Sequence, residues 1–367
     1  MIAPKITYFG SAERRKLPTL VANTYAFMSD GRFFVLDPGM GAKRASELRS
    51  WLPATGSYDI VNTHAHEDHF LNSAAIAKDG SSIYLGHLSK VCLDMNIRYV
   101  IENARIMFKT MDVQSLMMRY MKMGALSAGV LALIIKTMPN IMSSIMVRSQ
   151  YKYSRYYKEL KKQSTPLTFL PVEYQKQYDF GKTSFRGWEI TGTLLALETP
   201  GHTQDSLTYY VRDQKALFIG DLDFFLNPAN VINGNINALH DSLDKIIGLV
   251  ESEKIEYLGS GHYHPIVGTD AILEYLTAYQ RKQVEIFDTL SAIIIKKPDW
   301  RWRDLLTAAY QDASHAVRQA VAADYPRSAS YIDIYLYLLL EESGYRFTQD
   351  TWHRQSVGID YFSYMSN

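Results

Sequence analysis

Cysteine is nearly missing from this chain: among 367 residues only Cys92 carries a thiol, which excludes an intramolecular disulfide and any Cys-rich zinc site. A lone thiol also suits a reducing compartment. Long apolar runs are missing as well. The most apolar stretch, Gly124 to Ile135, is twelve residues and is followed by Lys136 and Pro139, short of the ~20 residues that span a bilayer. The opening Met1-Ile2-Ala3-Pro4-Lys5 has neither the apolar core nor the cleavage site of a signal peptide, so the expected location is cytoplasmic. No Gly-x-Ser-x-Gly elbow occurs to support a serine nucleophile.

Net charge is almost absent too, at +1, but its distribution is uneven. Residues 95–163 hold twelve Lys/Arg against three Asp/Glu, a balance of +9 that leaves −8 for the rest. Ten of the fourteen methionines fall in the same stretch. A hydrophobic content of 47% and an aromatic content of 13% fit a globular protein of one to three domains.

What is present concentrates at residues 63–69, Thr-His-Ala-His-Glu-Asp-His, directly after the apolar run Tyr58-Asp59-Ile60-Val61. Three imidazoles (His64, His66, His69) and two carboxylates (Glu67, Asp68) crowd into six positions. In an extended chain His64 and His66 point the same way, and a turn brings Asp68 and His69 to the same strand end. Imidazole nitrogen and carboxylate oxygen are ligands that zinc and similar divalent metals accept.

Three later segments repeat one grammar: an apolar run, a glycine, then His or Asp. Leu194-Leu195-Ala196-Leu197 leads to Gly201-His202, Ala216-Leu217-Phe218-Ile219 to Gly220-Asp221, and Ile255-Glu256-Tyr257-Leu258 to Gly261-His262-Tyr263-His264. Glycine permits the sharp bend that turns the next side chain toward a common site.

On these motifs the chain resembles the metallo-β-lactamase superfamily of dinuclear metallohydrolases over residues 20–90 and 165–270. Asn23-Thr24-Tyr25 and Leu36-Asp37-Pro38-Gly39 resemble the family's opening hairpin and first aspartate. The resemblance implies an α/β fold, an αββα four-layer sandwich. It implies that His64, His66 and His202 hold one metal, that Asp68, His69 and His262 hold a second, and that Asp221 bridges them. Asp37 is implied to orient a ligating imidazole, a turn residue being the alternative. His264 competes with His262 for the last ligand position, and the family pattern, with the ligand directly after glycine, favours His262. Glu67 reads as solvated and Asp205 as a turn cap; Asp223 has no readable role.

Four segments organise the chain. Residues 1–90 and 165–270 read as the two halves of the metallo-β-lactamase-like domain, residues 91–164 as a helical, Met-rich, basic insertion or lid, and residues 271–367 as a helical extension. Helices are expected over Gly39 to Trp51, Leu243 to Glu251 and Ala271 to Ile294. The tail faintly resembles the winged-helix-like end of some family members at Arg303 to Leu306 and Tyr335 to Tyr345.

The function these readings imply is hydrolysis of a thioester, lactone or other carboxylic ester through a hydroxide bridging two divalent ions, zinc first, with iron or manganese as alternatives. Methionine adapts to irregular apolar surfaces, so an amphiphilic acyl substrate is expected, with peripheral membrane contact through 95–163. The competing classes are a phosphodiesterase for phospholipid or nucleic acid, a diiron redox protein, and a non-catalytic regulatory module. A pI near 7.8 counts against nucleic acid.

Overall fold

The computed structural model describes residues 6–10, 22–53, 57–90, 124–138, 167–223, 234–296 and short stretches within 299–354. The chain divides into two compact units, one of Met1–Tyr99, Arg148–Phe225 and Asn237–Tyr279, the other of Val100–Val147, Leu226–Ile236 and Gln280–Asn367.

The first unit contains two mixed sheets. In one, β1 (Thr7–Phe9), β2 (Thr24–Ser29), β3 (Arg32–Leu36), β4 (Asp59–Val61), β5 (Ile83–Leu85) and β6 (Leu167–Phe169) lie side by side in chain order. The β1–β2 and β2–β3 pairs are antiparallel, and the pairs from β3 through β6 are parallel. The other sheet has the order β13-β12-β11-β10-β9-β8-β7, from β7 (Lys176–Phe180), β8 (Thr183–Glu189), β9 (Leu194–Glu198), β10 (Leu207–Val211), β11 (Ala216–Phe218), β12 (Tyr257–Gly259) and β13 (Ile266–Val267). Here β11 and β12 are parallel and the other pairs antiparallel.

The two-residue period of a strand explains how the sheets pack. Tyr25, Phe27, Phe34, Leu36 and Val61 from the first sheet share one core with Leu194, Ala196, Leu207, Tyr209 and Phe218 from the second. The alternate residues of the first sheet, Val35, Ile60 and Ile83, turn the other way. There they meet Ala45 and Leu48 of α1 (Ala42–Trp51) and Ile76, which ends α3 (Ser73–Ile76). Strands covered on both faces read as nearly continuous apolar runs, which is what β9 and β11 are. Helix α5 (Ile236–Glu253) buries Leu239, Leu243, Ile246 and Val250, and its Glu253 accepts a hydrogen bond from Tyr210 of β10 at 3.0 Å. The fold class expected from the sequence, α/β with sheets and attendant helices, is what the described residues form.

In the second unit α4 (Ala125–Thr137) falls within the expected insertion; the rest of 91–164 lies outside the described residues. Ala128, Ala132 and Ile135 of α4 are buried, whereas Leu126, Val130 and Leu133 are exposed. The C-terminal extension begins as expected with a long helix, α6 (Thr269–Ile295), of which Thr269–Tyr279 belongs to the first unit. It is not wholly helical. β14 (Asp299–Arg301), β15 (Tyr345–Thr348) and β16 (Thr351–Arg354) form an antiparallel sheet in the order β14-β16-β15. Trp300 anchors β14, buried and donating to Ile294 O at 3.1 Å. Of the segments compared with a winged helix, Arg303, Leu306, residues 335–338 and Glu341 lie outside the described residues.

Among the described residues no helix is long and apolar enough to cross a membrane.

Candidate metal centre

Every expected ligand follows the carboxyl end of a strand. β4 delivers His64 and His66, then the one-turn helix α2 (Glu67–Phe70) with Asp68 and His69; β9 delivers His202, β11 Asp221 and β12 His262. Because β11 and β12 are parallel neighbours, their carboxyl ends point the same way. Two backbone bonds tie the segments together: Leu207 N donates to Thr63 O at 2.8 Å, and Gly261 N donates to Gly220 O at 2.6 Å.

The side chains gather into two adjoining groups, His64, His66, His202 and Asp221 in one and Asp68, His69 and His262 in the other. Within each group the candidate ligand atoms lie within 4.8 Å of one another. Asp221 reaches both. Its Oδ2 lies 3.3 Å from His202 Nε2 and 3.1 Å from His262 Nε2, and its Oδ1 lies 3.2 Å from His69 Nε2. His262 Nε2 also approaches Asp68 Oδ2 at 3.3 Å. His264 stands apart from this cluster, with its Nδ1 3.5 Å from Tyr8 Oη.

Glycine is required where these groups converge. A methyl group on Gly261 would collide with Asp221 Oδ1, and Gly220 takes φ of +54° with Thr63 against the space a Cβ would fill.

A second ring of polar groups fixes the imidazoles. Asp37, fully buried, accepts from Thr63 N and Thr63 Oγ1 at 2.8 Å each and from His69 Nδ1 at 2.9 Å. Thr63 Oγ1, having donated to Asp37, can accept from His64 Nδ1 at 3.0 Å. Each bond directs an Nε2 into the site, the arrangement by which partners behind a ligand set tautomer and ring angle.

Asp205 is more than the expected turn cap. It is buried, and its Oδ2 accepts from Ala65 N at 2.9 Å and Ser89 Oγ at 2.6 Å, which holds the turn between His64 and His66. Glu67, expected to be solvated, is half-buried, and burial pushes its carboxyl up. Asp223 is buried beside the site, bonded to Ser260 Oγ and Tyr275 Oη at 2.8 Å each; burial pushes it up to about 7.

The electrostatics split the histidines. Burial, with neighbouring imidazoles adding to it, holds His64 well below the usual range, and burial takes His202 down to about 3; both rings are neutral at pH 7. Burial also lowers His66. His69 and His262 go the other way. Burial opposes their charge, but Asp221 and then Asp37 and Asp68 hold His69 well above its usual value, and Asp221 and Asp68 raise His262 to about 10. Conversely, burial would raise Asp221, yet His262, His69 and His202 hold it well below the carboxylate range.

These residues fit metal ions. His66 Nε2, His69 Nε2 and Asp221 Oδ1 are buried without another hydrogen-bond partner, the last two facing each other at 3.2 Å. His64 Nε2 and His202 Nε2 approach His66 Nδ1 at 2.9 and 3.1 Å. Buried polar atoms left unbonded cost about 1–3 kcal/mol each, and converging lone pairs beside carboxylates are a cation's coordination shell.

The chain is similar to known proteins over part of its length. A family model, the metallo-beta-lactamase superfamily, matches residues 17–106. A hydroxyacylglutathione hydrolase of Bartonella tribocorum (strain CIP 105476 / IBS 506) is 34% identical over 105 residues, 28% of this chain and 41% of that protein. Another, of Rhodopseudomonas palustris (strain BisA53), is 47% identical over 57 residues, 15% of this chain and 22% of that protein. Each match spans less than half of the relative's length. A solved metallo-beta-lactamase family protein of Thermus thermophilus aligns over 91% of this chain and 94% of its own, at 16% identity and a TM-score of 0.44. The chain thus carries the sequence signature of the metallo-beta-lactamase superfamily on the segment that holds the first His cluster.

Proposed function

We propose that this protein is a hydrolase with two divalent ions, zinc first, that cleaves a thioester, lactone or other carboxylic ester of an amphiphilic small molecule. The observation that carries the reading is the meeting of seven imidazole and carboxylate side chains, from four strand ends, at Asp221. His64, His66 and His202 would hold one ion and Asp68, His69 and His262 the other, with Asp221 within reach of both groups. Ions bound there supply a water whose pKa falls from ~16 to about 7 and a Lewis acid for the carbonyl oxygen.

The chain's own contribution is orientation and proton handling. Asp37 and Thr63 aim His69 and His64 into the site. Asp68 is ionised, since His69 and His262 outweigh the upward pull of burial, and its side chain keeps 12% exposure. An ionised carboxylate partly open to solvent would serve there as a ligand and as a proton acceptor beside the reacting centre.

The relatives named hydroxyacylglutathione hydrolase support an acyl substrate, and the Met-rich, basic composition of 95–163 supports an amphiphilic or anionic one and peripheral contact with a membrane surface. The lone thiol supports a cytoplasmic setting.

The test is turnover of a thioester, a long-chain lactone and bis(p-nitrophenyl) phosphate by purified protein, with metal analysis alongside. Two ions per chain and metal-dependent cleavage of the thioester or lactone are expected. Full activity in a metal-free preparation would sink the reading, and cleavage of the phosphodiester alone would move it to the phosphodiesterase class.

A further inference from the structure

We infer that Ser260, held in place by Asp223 and Tyr275, is a positioning residue for one half of the site, the half that His262 completes. This rests on the metal-site reading above and goes beyond it, since Ser260 and Tyr275 lie outside the ligand motifs.

The geometry is a short relay. Tyr275 Oη on α6 donates to Asp223 Oδ2, and Ser260 Oγ donates to Asp223 Oδ1, each at 2.8 Å. With its proton committed to Asp223, Ser260 Oγ turns its lone pairs to the backbone and accepts from His262 N at 3.3 Å and Tyr263 N at 3.2 Å. Two bonds from Tyr25 Oη at 2.7 Å and Asn23 Nδ2 at 3.0 Å fix the Ser260 carbonyl. Asp223 and Ser260 are 1% and 3% exposed, so water does not replace these partners readily. The hydroxyl reaches the His262 amide directly, and His262 is the candidate ligand whose Nε2 faces both Asp68 and Asp221.

The other half is held by different residues. Thr63 supports His64, and Asp205 supports the turn before His66. Loss of the Ser260 hydroxyl should therefore act on one ion and spare the other. A carboxylate at 223 serves this arrangement because it accepts two bonds at once and orients the hydroxyl without offering a competing donor.

The experiment is zinc titration of wild-type protein and of Ser260→Ala, Tyr275→Phe and Asp223→Asn against a competing chelator, with the melting temperature of each metal-free form. Wild type should bind two ions. Ser260→Ala should bind one ion unchanged and the second, the one beside His262, about 10–100-fold more weakly, the usual effect of removing a partner behind a ligand. Tyr275→Phe should shift the second ion in the same direction by less, and Asp223→Asn, whose NH₂ cannot accept one of the two donors, should shift it at least as far as Tyr275→Phe. Equal weakening of both ions, or none, in Ser260→Ala would overturn the inference; should that variant not fold, an unchanged second ion in Tyr275→Phe would do so. A wild-type chain that binds no zinc removes the metal-site reading and this inference with it, an outcome distinct from the others.

Discussion

Asp37 and His69, 32 positions apart in sequence, meet in the buried interior with His69 Nδ1 2.9 Å from Asp37 Oδ2. The same carboxylate takes both polar hydrogens of Thr63, so one side chain at the end of β3 organises the end of β4. Asp37 itself sits at φ 49°, a left-handed conformation that aspartate tolerates better than most residues.

Replacing that carboxylate tests what it does. Asp37→Asn puts an amide NH₂ where Oδ2 now receives two donors, so His69 loses its fixed ring angle. Metal affinity should fall about 10–100-fold, by analogy with other partners behind ligating histidines. Chelator competition measures this, and wild-type affinity in the variant would remove Asp37 from the site's machinery.

The divided histidine set predicts a pH signature. His69 and His262 lie above their usual values, His262 at about 10, so in the ion-free protein both hold a proton at pH 7. A ring nitrogen must lose that proton to coordinate, so filling this half releases protons, and its affinity should rise with pH between 7 and about 10. His64 and His202 are lowered, His202 to about 3, and enter coordination already neutral, so the affinity of their half should stay flat over the same range. Calorimetric titration in buffers of different ionisation heat counts the protons; zero net release at pH 7 would contradict the pairing of His69 and His262 with carboxylates.

The inter-sheet core should dominate stability. Phe218 is fully buried, stacked on Phe27 at 5.1 Å between centroids and tilted against Tyr25 at 4.9 Å. Phe218→Ala should cost about 3–5 kcal/mol, the range for deleting a buried aromatic, in urea unfolding of the metal-free protein. A loss under about 1 kcal/mol would mean that the two sheets close over the gap.

The clustering of the candidate donors was readable because the pattern is local: His64 to His69 fall within six positions, and His202, Asp221 and His262 each follow an apolar run and a glycine. β9 and β11 were readable for the same reason. Other elements carry no such pattern. β5 is three residues long, and β7, Lys-Gln-Tyr-Asp-Phe, is a largely exposed strand at the sheet edge. Asp205 was misjudged because its partners, Ala65 and Ser89, are 140 and 116 residues away. Asp223 was opaque for the same reason, since Tyr275 comes to it from a different element 52 residues on. The sheet of the C-terminal extension depends on Asp299–Arg301 pairing with Thr351–Arg354 across a segment that reads as helical.

The candidate donors run from His64 to His262, so ions held there as proposed would close loops through most of the first unit and through both of its sheets. Such a cross-link belongs to the folded chain only. An ion at a thousand times its dissociation constant adds about 4 kcal/mol to the native state, comparable to much of a domain's whole margin of ~5–15 kcal/mol. On the proposed metal reading a chelator would act as a denaturant, and metal supply would set how long the chain survives.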